Sequence, residues 1–107
     1  MSSLRFMRVL VFFDLPMETN EDKRCYRHFR KALITNGFVM LQESVYCRLI
    51  TTPSVENSVK NMIRNNKPPA GLVQCLTVTE KQFQKMEFIV GESKSDVIDN
   101  EERVIVL

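Results

Sequence analysis

Apolar residues run unbroken from Val9 to Phe13 and stop at a carboxylate, Asp14, which Leu15 and Pro16 follow. A continuous run rich in Val and Phe is the pattern of a strand covered on both faces, and it predicts a strand over residues 5–13. Alternation assigns Val9, Val11 and Phe13 to one face, and Leu10, Phe12 and Asp14 to the other. Pro16 has no N–H to give a ladder and ends the strand. Thr19 then stands where an N-cap is needed, with Glu21 and Asp22 in the first turn where the helix dipole favours acids. Cys25, Phe29, Ala32, Leu33 and Asn36 recur at helical spacing and Gly37 follows as a left-handed cap, which predicts a helix over 19–36.

Further along, "FVML" (38–41) and "SVYCRLI" (44–50) read as two strands joined by Gln42-Glu43. Val45, Cys47 and Leu49 share one face of the second, opposite Tyr46, Arg48 and Ile50. Thr52 as cap and Pro53 at the first helical position open another helix, with Val55, Val59, Met62 and Ile63 as its apolar stripe. "NNKPPAG" (65–71) is a stop and loop, and "LVQCLTVT" (72–79) a fourth strand. The order βαββαβ defines an α+β, ferredoxin-like fold: two helices on one face of a four-stranded antiparallel sheet. A polar turn is expected at 80–84, a strand-like "MEFIV" at 86–90 and a final strand "RVIVL" at 103–107. The terminal "VIVL" is β-prone enough to be an aggregation hazard if left bare. Both C-terminal strands, 86–90 and 103–107, are expected to pair with a sheet edge by strand addition, across a dimer or onto a partner protein.

At 107 residues the length fits one domain, with a ferredoxin-like core at 1–79 and a C-terminal extension at 80–107. No window has the apolar length of a membrane span, and "MSSLRFMR" lacks a secretory apolar core, so a cytoplasmic protein is expected. Three scattered cysteines (Cys25, Cys47, Cys75) and one histidine (His28) offer no zinc-ligand spacing. Net charge is +2, but its distribution is uneven. Residues 1–67 hold 11 Lys/Arg against 6 Asp/Glu, and residues 68–107 hold 4 against 7. That asymmetry points to a polyanion-facing side.

The candidate side is the first helix, where Lys23, Arg24, Arg27, Arg30 and Lys31 crowd the surface away from Phe29 and Leu33. One basic helix is either a solvated face or a phosphate-tracking surface that binds nucleic acid without regard to sequence. No string of the RNA-recognition-motif type occurs, so base stacking on the sheet is not expected. For Asp14 two readings stand: a local turn cap accepting from the backbone two residues on, or an oxygen ligand for Mg²⁺. One carboxylate is a poor metal site. Two copies meeting about a two-fold axis would supply a second, and the pair could serve metal-assisted attack on a phosphodiester.

The strand-closing "FFDLP", the run "RCYRHFRKALITNGFVMLQESVY", "LTVTEKQF" and the terminal "NEERVIVL" together resemble a known family. It is that of the small CRISPR spacer-acquisition proteins, called CRISPR-associated endoribonucleases and partnered with the CRISPR integrase, in the branch that accompanies single-effector systems. The resemblance implies a ferredoxin-like homodimer with the strand-end Asp of each copy at the interface. It implies that Asp14 is the catalytic residue and the ligand of Mg²⁺ or another divalent cation such as Mn²⁺. It further implies a scaffold that bridges integrase dimers and holds a duplex DNA prespacer, with RNA as another substrate of the family. Charge alone marks Lys23, Arg24, Arg27, Arg30 and Lys31 as the nucleic-acid contacts. The competing expectations are a non-catalytic adaptor in the integrase complex and, more remotely, a small-molecule-binding regulatory domain.

Overall fold

The computed structural model describes residues 6–92. Strand β1 (Met7–Asp14) leads into helix α1 (Asn20–Thr35), then β2 (Val39–Gln42), β3 (Val45–Ile50), α2 (Pro53–Asn65), β4 (Leu72–Thr79) and a short α3 (Glu80–Gln84). The four strands form one antiparallel sheet in the order β2-β3-β1-β4, so β1 is central and β4 is an edge. This is the ferredoxin-like α+β arrangement expected from the sequence.

The element ends follow from the residues placed there. Thr19 accepts from the Asp22 N–H at 3.0 Å while the Asp22 carboxylate accepts from the Thr19 N–H at 3.1 Å, a reciprocal cap at the start of α1. At its other end Gly37 has φ +89°. There the Phe38 N–H donates to the Leu33 carbonyl and the Gly37 N–H to that of Ile34, the Schellman pattern. Thr52 caps α2, with Pro53 in its first turn.

Val9, Val11 and Phe13 of β1 pack with Tyr46 and Ile50 of β3 beneath Phe29 and Leu33 of α1 and Val59 and Ile63 of α2. Residues opposite one another in a ladder share a face. Leu10 therefore lies beside Cys47 and Leu76 on the sheet's second face, and Asp14 beside Leu72. The continuous apolar run of β1 predicted cover on both sides. Within one chain the helices cover the first face, while the second keeps Leu49, Leu72 and Leu76 at 43%, 55% and 51% exposure.

Two expectations change. Residues 80–84 form a helical turn, because Thr79 and Gln82 make a second reciprocal cap. Residues 86–90 form no strand. The α3 turn carries the chain off the end of β4, so residues 86–90 join no ladder within the single chain. Ile89 and Val90 are left 84% and 91% exposed. The expected strand 103–107 and residue 5 of the strand expected over 5–13 lie outside the described residues. No helix among the described residues is long and apolar enough to cross a membrane.

Candidate functional site

Asp14 is the last residue of β1, exposed, with its backbone paired to Leu72. Its carboxylate accepts no hydrogen bond from the described residues. The local-cap reading fails on elementary grounds, since the residue two positions on is Pro16, which has no N–H. An acid at a strand end with no local partner is free to meet a ligand from outside the chain. Among the described residues no group of three or more His, Cys, Asp or Glu comes together to hold a metal ion. Asp14 is therefore a hard oxygen ligand outside any three-ligand cluster among the described residues.

The strand end is held rigidly from behind. The Phe13 ring stacks on Tyr46 (5.6 Å, 30°) and meets Phe29 (5.2 Å, 87°) and Tyr26 (6.0 Å, 61°) edge-on. Such pairs prefer these offset and T-shaped geometries. The Phe13 N–H donates to the Ser44 carbonyl at 3.0 Å, and the Tyr26 hydroxyl to that of Glu43 at 3.3 Å. The β2–β3 turn thus lies alongside the end of β1 and brings Glu43 to this side of the molecule, a neighbour that linear spacing did not reveal.

The five basic residues of α1 are all exposed, but they are not equivalent. Lys23, Arg27 and Lys31 stand at i, i+4 and i+8, a single row along the helix, and none takes part in an ion pair among the described residues. Arg24 is tied to Glu21 one turn back; that hydrogen bond, foremost among the causes, lowers the Glu21 pKa and raises that of Arg24. Arg30 Nε donates to the buried Tyr46 hydroxyl at 2.8 Å. That gives it a structural duty, because a buried hydroxyl needs a partner. The structure does not bring the basic row and Asp14 into one pocket. The row lies on the helix layer, and Asp14 belongs by alternation to the opposite sheet face. His28 is an exposed residue of α1.

At the other end of β1, Arg8 lies across the second face. Its Nε and Nη2 donate to the Glu80 carboxylate at 2.7 and 3.1 Å, Nη1 approaches Cys47 Sγ at 3.7 Å, and its guanidinium sits 4.2 Å from the Phe83 ring centroid. Burial alone would raise the Glu80 pKa, but the hydrogen bonds from Arg8 and Gln84 leave it below its ordinary value. Burial raises the Cys47 thiol pKa, with Arg8 opposing. A cleft of about 620 Å³ opens at this end between Phe6, Ile50, Pro53, Thr79 and Lys81. Asp14 is not among its lining residues.

The profile of the family described as CRISPR associated protein Cas2 matches residues 7–86. The chain belongs to the Cas2 family. It is 52% identical to a CRISPR-associated endoribonuclease Cas2 of Treponema denticola, over 94% of this chain and 100% of that protein. A Lacticaseibacillus rhamnosus protein of the same name is 45% identical over the same shares. The crystal structure of Streptococcus pyogenes Cas2 at pH 6.5 superimposes with a TM-score of 0.61, at 21% identity, covering 78% of this chain and 99% of that one. That likeness supports the Cas2 fold, and the two sequence relatives carry the family assignment.

Proposed function

We propose that this Cas2-family chain works in the cytoplasm as a homodimer in CRISPR adaptation, holding duplex DNA and scaffolding the integrase, with a divalent-metal-dependent endonuclease centre at the paired Asp14 residues. The observation that carries this reading is Asp14 itself: exposed at the end of the central strand and without a hydrogen-bond partner among the described residues. The second sheet face, apolar and uncovered at Leu49, Leu72 and Leu76, suits a copy-to-copy contact about a two-fold axis. Asp14 shares that face by alternation, so pairing of the face supplies the second carboxylate that one chain lacks. A bound Mg²⁺ or Mn²⁺ would supply Lewis-acid stabilisation of a phosphodiester and a more acidic water. The exposed segment 86–90 and the β4 edge favour strand exchange in the C-terminal part, across the dimer or onto the integrase.

Lys23, Arg27 and Lys31 are the phosphate contacts of this reading, with Arg24 and Arg30 already engaged within the chain. The two relatives are named endoribonucleases, so single-stranded RNA stands beside duplex DNA as a substrate to try. A non-catalytic adaptor is the second reading, favoured by the single acid each chain offers. The test is cleavage of labelled duplex DNA and single-stranded RNA by wild type and Asp14→Asn, with Mg²⁺ and with chelator. Cutting by the wild type alone, and only with metal, is expected. Equal duplex binding by both with no cutting by either would leave the adaptor.

A further inference from the structure

The Asp14 carboxylate has no hydrogen bond from the described residues, so the backbone beneath it fixes where it stands. That backbone is in close contact with Gly71, which ends the Pro68-Pro69-Ala70 loop at the start of β4. Gly71 has φ +98°, where L side chains rarely go. A β-carbon there would lie 2.7 Å from the Asp14 carbonyl oxygen, 2.8 Å from Leu15 Cδ2 and 3.1 Å from Leu15 Cα. The Leu15 methyl can swing aside, but the other two atoms are backbone and move only with the Asp14-Leu15 peptide itself.

Retreat on the Gly71 side is limited. Leu72 is in register with Asp14, and two consecutive prolines stiffen the approach. Beyond Asp14, the Phe13 N–H anchors β1 to Ser44. An added β-carbon must therefore shift the last rung of the ladder, the one that carries the acid.

We infer that Gly71 is a positioning residue for Asp14: its bare backbone lets β4 close against the Asp14-Leu15 peptide and sets the place of the carboxylate at the strand end. Gly71 touches no substrate and acts only through Asp14. The inference rests on the reading of Asp14 as a metal-binding, catalytic acid.

The test compares wild type, Asp14→Asn, Gly71→Ala, Leu15→Ala and the Gly71→Ala/Leu15→Ala double variant, all well below their melting temperatures. Gly71→Asn is included because Asn tolerates the left-handed region. It keeps the β-carbon overlap should the alanine variant fail to fold. Cleavage of labelled single-stranded RNA is read as kcat and KM separately, and Mn²⁺-induced broadening of the Asp14 amide resonance gives a readout apart from turnover. Both Gly71 variants are expected to lose about 10- to 100-fold in kcat with KM little changed. Their Asp14 and Leu15 amide resonances should shift and the Mn²⁺ broadening at Asp14 should weaken. The double variant should recover none of this.

Wild-type kcat and unshifted Asp14 resonances in Gly71→Ala and Gly71→Asn would overturn the inference alone. Recovery in the double variant would do the same, since the Leu15 side chain would then carry the effect. A wild type that neither cleaves nor broadens at Asp14 would overturn the Asp14 reading first, and the role of Gly71 with it.

Discussion

Tyr46 and Arg30 show how one hydroxyl alters the reading of a charged residue. Tyr46 is buried against Phe13 and offers its oxygen to Arg30. Tyr46→Phe removes that bond without emptying the core and should cost about 0.5–1.5 kcal/mol, measured by urea unfolding. The remaining basic side chains divide by the same logic. Alanine at Lys23, Arg27 and Lys31 together should reduce the slope of log affinity for duplex DNA against log salt by about 2–3. Arg30→Ala should change stability more than that slope, because its guanidinium is already engaged. A salt series on both variants checks this, and equal slopes would erase the distinction. Such a distinction was not legible in the sequence, where all five cations read alike and Tyr46 stands 16 residues from Arg30. Asp14 was half legible: alternation put it on the face it shares with Leu72, but its two readings stood side by side until its surroundings were known.

Elements whose ends carry their own chemistry were readable from the chain. Thr19, Gly37 and the Thr52-Pro53 pair mark helix boundaries by hydrogen-bonding and φ preferences that act within a few residues, and the structure places those boundaries within a residue or two. Thr19→Ala removes one half of the α1 cap and should cost about 1 kcal/mol by thermal or denaturant unfolding. Where an element depends on a distant partner, the local pattern alone does not decide its form. Residues 86–90 have strand composition but join no ladder within the single chain. Residues 80–84 have turn composition but gain helical form from Thr79 and Gln82, then dock Phe83 under Arg8. The Glu80–Arg8 pair gives α3 a pH dependence. The Glu80 pKa is lower folded than unfolded, so its contribution is full above the ordinary carboxylate value of 4.5. It is lost as pH falls through the depressed folded value. Acid unfolding of Glu80→Gln should therefore be less steep below that pH than that of wild type, and identical acid limbs would show that the pair contributes nothing.

On the scale of the whole molecule, the central strand serves two surfaces. One face carries the core and, beyond it, the basic row of α1. The other is an apolar sheet face that ends in an acid. Copy-to-copy pairing through the second face would join two Asp14 carboxylates in one centre. Leu76→Arg, beside Leu10 in the middle of that face, should halve the particle mass by light scattering while preserving the circular dichroism of the fold. An unchanged mass would place the copy contact elsewhere. The most direct measurement mixes wild-type and Asp14→Asn chains in known ratios, lets subunits exchange, and follows metal-dependent cleavage against the wild-type fraction. A centre that needs both acids loses activity as the square of that fraction, so an equal mixture should retain about a quarter of the wild-type rate. Activity that falls in simple proportion, or no metal-dependent cleavage at any ratio, would contradict a shared Asp14 centre.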